Sequence, residues 1–446
     1  MVYRSGYGVR ERSFFKPSRG PYRRVLDRSE HETSLIRDED DHPGAVDAFL
    51  RHLDRNLPTV LKSIFKTRVE RETYQIKGVE VCLDRSKVIA GRRSSPIAEI
   101  ELELKSGDRR ELFGLARQIS AIVPAELSVK SKSERGYDLV EGTKARAIMA
   151  QDPALPRFPT DTEAFQIVCS ECLRQLISNR LGVREHIAEA LHQARVALRR
   201  LNAAVKLFRK IQSKKATKVT GELKWIGAEL ADARELDVFM TEFLGPLRNK
   251  HPTDVSLAKV HGACVELREK AYERANAALS SQRFRTFLID LAEWIETGNG
   301  GRKARLRAKA AASAKAVVST ALRKMSSKIK SVRRIDDLDL RRLHKLRLLA
   351  KRMRYTVEFT RNLYEGHSKR IEGILKQLGK LQSALGTLTD MASARTILSR
   401  ISVKAKAVPK SVKLRVTGDQ EKQKSKQLKK AARSFEKLEN LKSFWT

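Results

Sequence analysis

The run "HQARVALRRLNAAVKLF", His192 to Phe208, decides the reading of this chain because it returns as "HKLRLLAKRMRYTVEFT", His344 to Thr360. The two copies lie 344 − 192 = 152 residues apart, and Leu223-Lys224-x-x-Gly227 recurs as Leu375-Lys376-x-x-Gly379 at the same offset, 375 − 223 = 152. Two motifs in one register point to a duplicated unit. At about 100° per residue, His192, Arg195, Arg199, Asn202 and Lys206 fall within about 80° of one helix surface, a stripe roughly 21 Å long. Leu191, Ala194, Leu198, Leu201, Val205 and Phe208 make an apolar stripe beside it. One face is therefore core, and its neighbour is a row of donors. His344, Arg347, Lys351 and Arg354 form the equivalent row, closed by Glu358. A solvated helix face mixes both signs of charge for i,i+4 support, whereas acids are nearly absent from these rows.

The rest of the composition agrees with an anionic partner. The chain has 446 residues, 91 Lys and Arg against 53 Asp and Glu, and a formal net charge of +38. That excess goes far beyond what solubility requires, and nucleic acid, an anionic membrane surface and polyphosphate are the candidate partners. At 41% hydrophobic residues the chain as a whole is globular and long enough for two or three domains. No apolar run approaches a membrane span, and no apolar core follows the basic N-terminus, so a soluble cytoplasmic protein is expected. Cys82, Cys169, Cys172 and Cys264 are too sparse for a disulfide framework, and the lone Cys169-x-x-Cys172 pair reads as helix packing rather than a zinc or redox site.

The paired His helices, followed by "LKWIGAELADARELDV" and "LKQLGKLQSALGTLTD" and by the ending "LKSFWT", resemble the CHAD family, the conserved histidine α-helical domain, over about residues 160 to 446. The resemblance implies two pseudo-symmetric helical bundles whose His helices line a basic central cavity that binds inorganic polyphosphate. On that basis the expected polyphosphate ligands are His192, Arg195, Arg199, Arg200, Lys206 and Lys224 in the first repeat. In the second they are His344, Arg347, Lys351, Arg352, Arg354 and Lys376. Asn202 stands where the family usually has Arg. Polyphosphate granules are one expected place for such a protein within the cytoplasm.

The histidines His192 and His344 are read as anion ligands, with helix-packing residues as the alternative. A metal would want a second ligand at i+3 or i+4, and the residue at i+3 is Arg in both copies. Nothing pairs a nucleophile with a base, so the helical domain is expected not to be an enzyme, and no cofactor is called for. Nucleic acid is the runner-up partner. Single-stranded binders usually add stacking platforms, and aromatics make up only 6% of the chain. Tyr355 is the exception beside the row.

Upstream, Val69 to Ile76, Val79 to Leu83, Lys87 to Ala90 and Ala98 to Leu104 have the length and β-rich character of strands, with Lys77-Gly78 as a turn. In Glu99-Ile-Glu101-Leu-Glu103 the period of two puts three carboxylates on one face. Glu99, Glu101 and Glu103 are thus weak candidates for Mg²⁺ or Mn²⁺, against a reading in which they pair with Arg68, Arg71 and Lys132. "FKTRVERETYQI", "VCLDRSKVIAG", "EIELELKSGDRRELFGLARQI" and "SKSERGYDL" resemble the later half of the CYTH family, which implies a closed antiparallel tunnel gripping triphosphate. The family opens with an E-x-E-x-K strand that residues 1 to 57 do not contain. Residual metal-dependent triphosphate hydrolysis is a further alternative function, and none is expected.

The expected architecture is mainly α: a duplicated helical-bundle domain preceded by a small, partial antiparallel α+β domain. Residues 1–44 are expected to be a disordered leader, 45–145 the truncated tunnel-like domain, 146–160 a Pro-rich linker, and 161–446 the helical domain, with repeats at about 161–300 and 301–446. A short helical pattern follows Ala45. Asp161 or Thr162 is the expected cap of the first long helix. Periodicity predicts helices over 162–180, 183–212, 217–249, 254–280, 282–297, 302–331, 336–364, 368–385, 387–402 and 419–442. Oligomeric state is not legible.

Overall fold

The computed structural model describes residues 12–13, 31–32, 64–142, 145–208, 213–298, 314–332, 335, 338–404, 410–418 and 420–445. The helical pattern after Ala45, the basic stretch 302–313 and most of the expected leader lie outside them. Contacts divide the chain into two units, Met1–Arg146 with Arg285–Thr297, and Ala147–Phe284 with Gly298–Thr446. The fold is mainly α, with a small antiparallel sheet in the first unit.

In the first unit, Arg12–Ser13 (β1) pairs antiparallel with His31–Glu32 (β2). Lys66–Ile76 (β3), Val79–Ala90 (β4) and Arg93–Leu104 (β5) form a three-stranded antiparallel meander with β4 in the middle. Val79 to Leu83 and Lys87 to Ala90 are parts of one strand. The polar stretch between them looks like a break in sequence, but as central-strand residues Asp84 and Ser86 are buried and paired on both sides. Lys77 (φ 47°) and Gly78 (φ 75°) make the two-residue hairpin, a type that requires positive φ at both positions. A Cβ on Gly78 would stand 2.4 Å from the Ser106 carbonyl oxygen. Helices Arg109–Ile122 (α1) and Lys132–Glu141 (α2) follow, capped by Asp108 and by a Ser131/Glu134 capping box. Within this unit Arg117 donates to Asp290 (3.2 Å) and Glu293 (2.7 Å), and Arg109 to Glu296 (3.0 Å).

The second unit opens with the Pro-rich segment, which is tied down rather than loose. Ile148 N donates to Asn179 Oδ1 (2.9 Å), Asn179 Nδ2 donates to Ile148 O (2.8 Å), and Asn362 Nδ2 donates to Leu155 O (2.8 Å). Helix Asp161–Ser178 (α3) starts one residue earlier than its sequence cap suggests: Thr160 and Glu163 form a full capping box. Arg180–Arg184 (α4) then leads to Ala188–Leu207 (α5), the first His helix. All six residues of its apolar stripe are at most 4% exposed. The expected helix over 217–249 is instead Ser213–Glu229 (α6), Ala231–Val238 (α7), a π turn over Phe239–Leu244 and Gly245–Lys250 (α8). Pro246 lacks the N–H that would continue the ladder, which accounts for the irregular turn before it.

Val255–Ser280 (α9) and Ala314–Lys330 (α11) precede the second His helix, Leu340–Thr360 (α12), capped by Asp339, while Gln282–Thr297 (α10), which lies between α9 and α11 in the chain, belongs from Arg285 onward to the first unit. Ser368–Lys404 (α13) is one helix of 37 residues that runs through Gly386, where the sequence reading placed a break. Lys410–Thr417 (α14), not expected from the sequence, and Gln420–Asn440 (α15) complete the unit. Phe444, from the closing motif, is buried and meets Tyr364 edge to face at 4.9 Å between centroids. α5 packs on α3 and on α12, and α12 on α11 and α13, so the two His helices are neighbours within one core.

Candidate functional site

Burial separates the predicted row residues into those that converge and those that do not. His192, Arg195 and Arg199 on α5 and Arg347 and Lys351 on α12 are half-buried, as no solvated helix face would be. The leading charge acting on Lys351 is Arg199, followed by Arg347, and Lys351 in turn acts on His192. Two further helices contribute residues that the rows alone did not reveal. Arg234 of α7 acts on His192 and Arg195, Glu235 of α7 on Arg195, and Asp390 of α13 on Arg347 and Lys351. The site is thus a cluster of cations from α5, α7 and α12 with one carboxylate each from α7 and α13.

Its donors are under-used. Arg195 Nη1 donates to Gly227 O at 2.7 Å, but the buried Nε atoms of Arg195, Arg199 and Arg347 have no acceptor, and neither does the buried Asn202 Oδ1 have a donor. A buried polar group without a partner is costly, and in native proteins such groups mark strain, a ligand or solvent. Electrostatics agree. Burial, then Arg234 and Arg199, push His192 down to about 4. Burial, then Arg199, push Arg195 down to about 10, and burial, then Arg199 and Arg347, push Lys351 down to about 7. Arg347 is also lowered, by burial first and Arg199 against the opposing pull of Asp390. Asp390 and Glu235 are raised by burial, although Arg347 and Arg195 pull each the other way. His192, Arg195, Arg347 and Lys351 are each held in an environment that disfavours the charged form, a state that an anion relieves.

The remaining predicted ligands have other engagements. Arg200 is almost fully buried: it donates to Glu358 (3.1 Å) and to Gln151 O (3.0 Å) and lies over the Phe359 ring at 4.9 Å. Arg354 pairs with the same Glu358 at 2.7 Å, and Arg352 Nε contacts Met325 Sδ at 3.4 Å. Lys206, exposed at the row's end, is lowered by burial and by Arg352. Lys224, Lys376 and His344 are exposed, and none is among the principal charges acting on His192 or Lys351. Tyr355 is buried beside Phe359 and offers no stacking platform.

In the first unit the carboxylate face is closed by cations. Register places Arg71, Asp84 and Glu99 side by side, with Glu101 one pleat along. Lys132 Nζ, buried, lies 2.8 Å from Asp84, 2.8 Å from Glu99 and 2.6 Å from Glu101. Arg71 pairs with Asp84 and Glu101, and Arg135 with Glu99 at 3.4 Å. Burial works against the charge on Asp84, yet the hydrogen bonds from Arg71 and Lys132 outweigh it and hold the carboxyl below its usual range. Glu103 turns to Lys105 at 2.8 Å, and Arg68 lies on the opposite face of the sheet. No group of three or more His, Cys, Asp or Glu among the described residues could hold a metal ion. The set does not fit Mg²⁺ or Mn²⁺, because an ammonium stands where the carboxylates converge.

Comparison with known proteins adds the following. The CYTH domain model matches residues 14–137, beginning N-terminal to the boundary expected at 45. The inorganic triphosphatase of Haemophilus influenzae is 37% identical over 83 residues, 18% of this chain and 24% of that protein. This chain therefore spans about a quarter of that curated relative's length. The CHAD domain from the plant Ricinus communis shares the fold, with a TM-score of 0.57 at 24% identity over 66% of this chain and 97% of that one. PptA from Streptomyces chartreusis has a TM-score of 0.46 at 15% identity over 62% of this chain and 100% of that one, too distant to bear on the fold. No helix among the described residues is long and apolar enough to cross a membrane. The CHAD domain model matches residues 168–399, more than half of the 446, and the chain belongs to the CHAD domain family.

Proposed function

We propose that the helical unit binds inorganic polyphosphate at the cluster of His192, Arg195, Arg199, Arg234, Arg347 and Lys351, and that it does so without chemistry. The observation that carries this reading is the set of buried guanidinium Nε atoms on two neighbouring helices with no acceptor. A linear polyphosphate is a row of closely spaced anionic oxygens without bases, and it asks for rows of donors and little else. Charge-assisted hydrogen bonds contribute on the order of 1.5 to 3 kcal/mol each, so a handful gives useful affinity after desolvation. Nucleic acid is disfavoured because the one aromatic beside the row is buried in the core. Competition decides between them. Polyphosphate bound to the protein should resist displacement by single-stranded DNA or RNA of the same total charge at the same salt, and equal displacement would sink the proposal.

A second reading, triphosphate hydrolysis by the first unit, draws on its likeness to an inorganic triphosphatase. The pairing of Asp84, Glu99 and Glu101 with Lys132 and Arg71 speaks against it. We expect no phosphate release from triphosphate with Mg²⁺ or Mn²⁺. Release that Glu101→Gln abolishes would establish the activity.

A further inference from the structure

The closing motif "LKSFWT" has no part in the polyphosphate reading, yet Leu441, Lys442, Ser443 and Trp445 of it line a cavity of about 940 Å³. The cavity lies within the second unit, between α11, α12, α13 and α15, and none of the cluster residues lines it. Its apolar floor is Ile329 of α11, Met353 of α12, Ile374 of α13, Leu438 of α15 and Trp445, each at most 8% exposed. Trp445 is fixed in place: its ring meets Phe444 edge to face at 4.9 Å, and Phe444 meets Tyr364 in the same way. A mainly apolar hollow of this size with a few polar groups has the make-up of a small-molecule site.

The polar lining is cationic and unpaired. Arg323 of α11, Arg370 of α13 and Lys442 come from three separate stretches of chain and are exposed. No carboxylate among the described residues pairs with any of them, and Arg323 makes only a long hydrogen bond to Thr320 Oγ1 at 3.4 Å. Like charges gathered on one cavity repel one another until an anion enters. Half-buried Ser326 and Ser443 add two hydroxyls with no partner among the described residues. Glu439, also half-buried and without an ion pair, is the one acid among the described lining residues. It decides the class of ligand. A purely anionic ligand would leave Glu439 facing like charge, and an acyl amphiphile would fill the floor but offer nothing to Glu439 or the hydroxyls. We propose that this cavity binds a nucleoside di- or triphosphate: phosphate oxygens at Arg323, Arg370 and Lys442, the base against Met353, Ile374 and Trp445, and a base N–H or sugar hydroxyl donating to Glu439.

The test is calorimetric titration of ATP, inorganic triphosphate and dodecyl phosphate into the full chain at fixed salt. Two double variants change the net charge equally. Arg195→Glu with Arg347→Glu removes the polyphosphate cluster and should leave ATP affinity within about twofold of wild type, whereas Arg370→Glu with Lys442→Glu should weaken ATP about tenfold or more. Ser327→Phe, which fills the cavity without touching a charge, should weaken ATP as much and keeps the test open if the charge reversals unfold the chain. In the cluster variant, adding Glu439→Met should weaken ATP severalfold yet strengthen inorganic triphosphate, which loses only a repelling charge. Loss of ATP binding in the cluster variant and not in the cavity variants would overturn the inference, as would absence of ATP binding by wild type. Dodecyl phosphate binding more tightly than ATP, and lost with Ser327→Phe, would overturn it in favour of an acyl amphiphile.

Discussion

Arg199 and Arg200 are adjacent in sequence and opposite in role. Arg199 has a buried Nε without acceptor, whereas Arg200 is held by Glu358, Gln151 O and the Phe359 ring. Arg199→Met is expected to weaken polyphosphate binding about tenfold or more, the loss of one charge-assisted contact. The same change should leave ligand-free stability equal or higher, since it removes a half-buried guanidinium whose Nε has no acceptor. Arg200→Met should do the reverse, costing about 1 to 3 kcal/mol in a denaturant melt while leaving affinity nearly intact. The titration of Lys351 gives a third expectation. Folded Lys351 loses its proton near 7 and the unfolded side chain near 10.5, so above pH 7 the unfolded chain binds more protons and stability rises with pH. Melts of the ligand-free protein from pH 7 to 9 should show that rise in wild type and less of it in Lys351→Met. The sequence made the donor rows legible because 3.6-residue spacing is a local property. It could not separate Arg199 from Arg200, since which cation meets a carboxylate depends on chain 150 or more residues away.

Among the elements, α13 carries the sharpest lesson. Gly386 reads as a helix breaker, yet the helix continues through it, and a Cβ built there would stand 3.5 Å from Arg347 Nη2. The glycine leaves room for the guanidinium at a helix cost of about 1 kcal/mol. Gly386→Ala should therefore stabilise the protein by up to about 1 kcal/mol with little change in affinity. Gly386→Leu should displace Arg347 and weaken binding. In the sheet, alternation in Glu99, Glu101 and Glu103 was plain, but Asp84 was hidden in a polar stretch that only its central position explains. Lys132→Met would leave Asp84, Glu99 and Glu101 facing one another, and a loss of about 3 to 5 kcal/mol is expected on chemical denaturation of the full chain. Glu235 and Asp390 were not legible as site residues. They sit on α7 and α13, whose approach to the His helices is a tertiary fact.

For the whole molecule, a net charge of +38 makes any polyanion adhere to some extent, so affinity alone and its decline with salt distinguish nothing. What distinguishes a built site from a diffuse polycation is where the charge must be. Arg195→Glu with Arg347→Glu and Lys426→Glu with Lys430→Glu remove the same amount of positive charge, the first pair inside the cluster, the second on the exposed face of α15. Calorimetric titration of polyphosphate against both double variants at one salt concentration is the most direct measurement. Abolished binding in the cluster variant, with the tail variant within about twofold of wild type, is the expected result. Equal weakening of the two would contradict a site on the His helices.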